Sequence, residues 1–206
     1  AVVVQILLDG VGTAYVNAPQ LESNPYAGAY NMLINGGCEY DNEGWYGNGM
    51  YTATDVGFST KRAIGIQGYL NVACYAEQEV KAKTARSTRE TFTLSGWAKG
   101  RSLPVHDRDG VSKPTFRLRA RIKYYDSYYR DYYSYEDFTA DFSPCTEDWQ
   151  FASVEFSKSK YRTIQSITVY CDYGYNDGSA YFDDIQLVRT GIETGLSSSD
   201  FTDDVS

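Results

Sequence analysis

The stretch "TFRLRARIKYY" at 115–125 constrains this chain more than any other. Phe116, Leu118, Ala120, Ile122 and Tyr124 share one parity, while Arg117, Arg119, Arg121, Lys123 and Tyr125 share the other. A strict period of two is a β-strand with one face in a core and one face outside it. "TFTLSGWAKG" at 91–100 repeats the pattern, with Phe92, Leu94, Gly96 and Ala98 against Thr93, Ser95, Trp97 and Lys99. "SITVYCDY" at 166–173 puts Ile167, Val169 and Cys171 inward and Thr168, Tyr170 and Asp172 outward.

Helical periodicity is nearly absent. Short β-rich runs separated by Gly, Asn, Asp and Pro predict an all-β sandwich or barrel. With 206 residues, 42% hydrophobic and 22% charged, the chain is long enough and apolar enough to fold around its own core. Its formal net charge of −8 argues against nucleic acid or anionic lipid as the main partner, because both require a basic surface. No apolar run is long enough to insert in a membrane. The opening "AVVVQILLDG" reads as a strand rather than a signal peptide. Cys38, Cys74, Cys145 and Cys171 lack zinc-ligand spacing, and buried free thiols are expected ahead of a disulfide framework.

An internal echo organises the chain. "GTAYVNAPQLE" at 12–22 matches "GSAYFDDIQLV" at 178–188 in Gly, Ala, Tyr, Gln and Leu. Residues 1–22 then read as terminal strands of a preceding repeat module, 23–32 as a linker, 33–189 as a complete module and 190–206 as a polar tail.

"NMLINGGCEYDNEGW" resembles the opening motif of bacterial carbohydrate-binding-module-like jelly rolls, the galactose-binding-like β-sandwiches. "TFTLSGWAKG", "DWQFASVEF" and "GSAYFDDIQLVRTG" resemble three later strands of the same group, in the expected order. Together they are similar to modules that precede YD repeats in large Rhs-type surface proteins of Gram-positive bacteria. The resemblance covers about residues 30–192. It implies a jelly-roll β-sandwich of two antiparallel sheets in a secreted or cell-surface protein, with neighbouring modules of the same polypeptide as partners. It also implies a structural Ca²⁺ held by Glu39 and Asp183, with backbone carbonyls around Gly36 and Gly37. From parity, Asp183 shares its side with Ile185 and Leu187 and is expected to point into the sandwich. The alternative is that Asp183 only accepts backbone hydrogen bonds at the sandwich end.

A catalytic role is not expected. The sole histidine, His106, lies in a Pro/Gly loop beside Asp107, without a hydrolase or metalloprotease context. Sugars present flat C–H faces and hydroxyl rims, which suit aromatic platforms and planar hydrogen-bonding side chains. Trp97, Arg119, Arg121, Tyr125 and Tyr170 are expected to share one outer sheet face, with Trp45, Tyr46 and Tyr51 as a rim. For each position the competing reading is core packing or a salt bridge. "KYYDSYYRDYYSYED" at 123–137 is expected to form an extended hairpin whose Tyr128, Tyr129 and Tyr132 join the contact set, against the alternative of tyrosine ladders that merely stiffen it. The expected function is a non-catalytic, glycan-binding module; the alternative is a structural spacer or protein-adhesion module.

Overall fold

The computed structural model describes residues 30–82, 84, 88–101, 114–125, 133–144, 147–158 and 162–194. The expected strands at 1–22, the His106 loop, Cys145, Tyr128, Tyr129, Tyr132 and the tail from 195 lie outside the described residues.

Among the described residues there is no helix. Ten strands are present: β1 (Tyr46–Asn48), β2 (Met50–Thr54), β3 (Arg62–Gln67), β4 (Tyr75–Val80), β5 (Thr88–Arg101), β6 (Arg117–Tyr125), β7 (Tyr133–Asp141), β8 (Gln150–Ser157), β9 (Thr163–Asp172) and β10 (Ser179–Thr194). They form two antiparallel five-stranded sheets packed as a jelly-roll sandwich. The first has the order β1-β4-β9-β6-β7 and the second β2-β3-β10-β5-β8. Only β2–β3 and β6–β7 are successive strands paired within one sheet; every other connection crosses to the opposite sheet.

The alternation in sequence becomes the two faces of each strand. Phe116, Leu118, Ala120, Ile122 and Tyr124 are all buried, as are Phe92, Leu94 and Ala98 from the facing sheet. Phe116 lies at the centre of an aromatic cluster, 5.0 Å from Phe142 and 5.7 Å from both Tyr173 and Phe182 between ring centres. Each such side chain contributes about 1.5–3 kcal/mol on leaving water. The sandwich reaches beyond the expected module limits: Met32 N–H donates to Leu187 O at 2.8 Å, and β10 runs on past residue 189.

Candidate ligand groove and carboxylate cluster

Residues directly opposite one another in antiparallel strands project from the same face. On the outer face of the first sheet this rule generates continuous rows. Tyr46 faces Glu77, Glu77 faces Tyr170, Tyr170 faces Arg119 and Arg119 faces Thr139. The adjacent row runs Asn48, Tyr75, Asp172, Arg117 and Asp141. Between these rows and the turn at Gly174 and Tyr175 lies a groove of about 330 Å³.

Its floor is a locked ionic array. Arg119 donates to Asp172 through Nε (2.6 Å) and Nη2 (2.9 Å), while its guanidinium lies 3.8 Å over the Tyr170 ring. Arg121 makes a second bidentate pair with Asp137, both bonds at 2.7 Å. Those hydrogen bonds hold the Asp137 carboxyl below the usual carboxylate range. Arg117 is bound less completely, with a single Nε contact of 3.3 Å to Asp172. Tyr75 meets Tyr170 edge-on at 5.9 Å. Burial, and then the adjacent Glu77 carboxylate, push the Tyr170 hydroxyl above its ordinary value. The groove therefore combines guanidinium donors, carboxylate acceptors and phenol rings in a nearly charge-balanced setting.

The expected residues separate into groups. Arg119, Arg121 and Tyr170 meet in the groove, and Tyr46 stands exposed at its β1 edge. Tyr125 shares their face but sits at the hairpin end, 6.2 Å from Tyr133. Trp97 does not join them, because β5 belongs to the opposite sheet. Trp45 is no rim residue either: it is fully buried, with its indole N–H bonded to Asn35 O at 3.0 Å. A ring without accessible surface offers no platform to a ligand. Arg117, Tyr75, Glu77, Asp172 and Tyr175 are lining residues that parity and ring chemistry left out of the set. The β4 pattern Tyr75, Glu77, Glu79 against Ala76, Gln78, Val80 carried that signal.

Asp183 is fully buried, but not by pointing into the sandwich. Phe182 and Ile185 both enter the core, and the pairing of β10 with β5 slips between Asp183 and Gln186. That slip is a β-bulge, and it reverses parity. Asp184, at φ 50°, occupies the extra position. Asp183 instead lies opposite Trp97 and is covered by the loop before β3: its Oδ2 accepts N–H bonds from Phe58 (2.7 Å) and Ser59 (3.2 Å), and its Oδ1 accepts from Asp184 (2.7 Å). Burial raises its carboxyl above the ordinary value, against the pull of these bonds.

Glu39 approaches the same point and bonds Thr60 Oγ1. A side chain starting at Gly37 would meet Asp183 Oδ1 at 2.9 Å, Glu39 Oε1 at 3.6 Å and Asp184 Oδ1 at 3.9 Å. Among the described residues no three acidic, His or Cys side chains form a ready-made metal-holding group. The donors around Gly37 are nevertheless all hard oxygens, the chemistry that suits Ca²⁺.

No family model matches the chain. Two curated relatives, the tRNA nuclease WapA of Bacillus subtilis strain 168 and the tRNA(Glu)-specific nuclease WapA of B. subtilis subsp. natto strain BEST195, are each 25% identical over 191 residues. The match takes in 90% of this chain but only 8% of the length of those relatives. Among solved structures, a family 16 carbohydrate-binding module is similar with a TM-score of 0.50 at 19% identity, over 77% of this chain and 99% of that one. The CBM22-1 xylan-binding domain from Paenibacillus barcinonensis Xyn10C gives 0.52 at 16% identity, over 79% and 96%. The enzymatically active domain of bacteriophage CBA120 tailspike protein 4 gives 0.55 at 13% identity, over 78% and 21%. At these identities the likeness is one of fold: the chain is a jelly-roll sandwich of the kind found in solved carbohydrate-binding modules.

Proposed function

We propose that the chain is a non-catalytic carbohydrate-binding module of a large secreted or cell-surface bacterial protein, holding a glycan in the groove of the first sheet. The observation that carries this reading is the groove itself: Arg117, Glu77, Tyr75 and Tyr170 converge there from three strands. Sugar hydroxyls would bond the guanidinium and carboxylate edges, and a pyranose C–H face would lie against the ring face of an exposed tyrosine such as Tyr46. Arg119 and Arg121, held bidentately by Asp172 and Asp137, would orient the floor, while Arg117, with one 3.3 Å contact, keeps more of its donors for the ligand. Tyr46 and Tyr125 extend the contact at either side. Tyr128, Tyr129 and Tyr132 are included on their chemistry alone. The small share of the WapA proteins that the chain spans supports a module with neighbours in one long polypeptide.

We also assign a structural Ca²⁺ to Glu39 and Asp183, with Asp184 as a further oxygen donor. Its part would be to tie the opening loop to β10, away from the groove.

One observation favours the alternative of a spacer or protein-adhesion module: two of the three groove arginines, Arg119 and Arg121, are already held bidentately by acids. A glycan array followed by calorimetry separates the two, with xylan as the first soluble probe. Binding is expected, with at least a tenfold loss in Arg117→Ala and Tyr75→Ala variants that remain folded. A blank array overturns the glycan reading and leaves the spacer.

A further inference from the structure

The outer face of the second sheet carries an aromatic surface that plays no part in the groove. Phe58 stacks on Trp97 with ring centres 4.0 Å apart and planes 17° apart. Phe151 flanks Trp97 at 5.3 Å, and Trp149 meets Phe58 at 5.7 Å. Phe151 and Phe58 remain 57% and 42% exposed, unusual for two apolar rings packed against one tryptophan on a surface. Phe58 owes its position to Asp183, whose carboxylate receives its N–H, so the exposed ring is held rather than merely left outside. Beside it, Gly65 leaves room for the Tyr51 ring to lie flat across β3 towards Tyr181.

Lys99 decides what such a surface would take. Its ammonium lies 4.8 Å from the Trp149 ring centre and 5.8 Å from that of Tyr181. Among the described residues no carboxylate forms an ion pair with it, whereas Arg117, Arg119 and Arg121 on the opposite sheet all meet acids. A cation resting on rings keeps its charge available to an incoming anion. Rings for stacking beside one uncompensated cation complement a sugar ring that bears a carboxylate. The net charge of −8 opposes an anionic ligand at long range, but that repulsion is screened beyond about 8 Å at physiological salt.

We propose that this face is a second glycan-binding surface, selective for acidic polysaccharides of the uronic-acid class, with Phe58, Phe151 and Trp149 as the stacking platform and Lys99 as the anion contact. It is independent of the groove, and its test is separable from that of the groove. The whole chain is titrated with polygalacturonate and, separately, with neutral xylan. Phe58→Ala and Phe151→Ala are expected to weaken polygalacturonate binding at least tenfold. Lys99→Gln should weaken it severalfold and flatten its salt dependence, while Arg117→Ala leaves it unchanged. Thermal melts confirm that each variant is folded; Lys99→Gln, an exposed-face change, keeps the test open if a ring variant does not fold. Absence of polygalacturonate binding overturns the proposal, as does binding that these variants leave intact. Equal binding of xylan through the same rings, with no effect of Lys99→Gln, overturns the acidic class. Self-association of the chain that Phe151→Ala abolishes would assign the face to a second copy and overturn the proposal.

Discussion

The guanidinium of Arg119 lies 3.8 Å from the ring centre of Tyr170 while both of its carboxylate-facing nitrogens are bound to Asp172. One face of the phenol is thereby covered by a cation that cannot swing away. Tyr170 supports the groove floor rather than serving as a bare stacking platform.

Removing that cation should be felt in stability as well as binding. Arg119→Ala leaves the Asp172 side chain, only 9% exposed, with the longer Arg117 contact alone. We expect a loss of about 2 kcal/mol, in the range for a partly buried hydrogen-bonded charge deprived of its main partner. Urea unfolding measures it; an unchanged midpoint would mean that the pair contributes nothing.

Asp137 gives the fold an acid-sensitive element. Its hydrogen bonds to Arg121 lower the folded-state carboxyl below its unfolded value, near 3.9 for an aspartate. The contribution is therefore fully present above that pH and is lost as pH falls through the lower folded value. Asp137→Asn should be less stable at neutral pH and flatten the acid branch of the stability profile. Parallel profiles for the two proteins would contradict the assignment.

Calcium binding at Glu39 and Asp183 predicts a melting temperature that rises with calcium and falls on chelation, because the ion binds only the folded chain. Glu39→Gln should remove the calcium dependence with little effect in chelator. Asp183→Asn is the poorer probe. Both Asp183 carboxylate oxygens accept N–H bonds, so the amide must turn its NH2 towards either the Phe58 and Ser59 N–H groups or that of Asp184. That should cost about 1–3 kcal/mol with or without the ion. An EDTA titration that leaves the melt unmoved eliminates the site.

Cys38, Cys74 and Cys171 are free and buried, and burial pushes their thiols up. Thiolate is the reactive form. Pulsed alkylation read by mass spectrometry should therefore leave all three unmodified in the native protein and label them on denaturation. Rapid native labelling of Cys171 would show that the sheets open.

Much of the sandwich was legible because a period of two reports directly on burial. The inward residues of β5, β6 and β9 follow from their sequences alone, as does the outward placement of Arg119, Arg121 and Tyr170. Parity does not say which sheet a strand joins, so Trp97 and Arg119, both outward, stand on opposite faces of the sandwich. Parity also fails across a bulge, and the single extra residue Asp184 leaves Asp183 on the side of the strand opposite to Ile185. Trp45 misled for a different reason. A tryptophan amid glycines looks like a loop aromatic, but the turn around Asn35 folds over it and accepts its N–H. The Asp172 carboxylate, outward by parity yet buried, needed the cross-strand register that sets it beside Arg117 and Arg119.

The strand order carries a consequence for how the chain reaches this structure. β10, the C-terminal of the ten strands, lies in the centre of its sheet, between β3 and β5. Until it leaves the ribosome, β3 and β5 each present an unpaired edge, and the face that covers the first sheet is split in two. Pairings between segments so far apart in sequence form slowly, and open edges in the interval invite pairing with other chains. Synthesis rate and chaperone access should therefore govern the yield of this protein more than its final stability does.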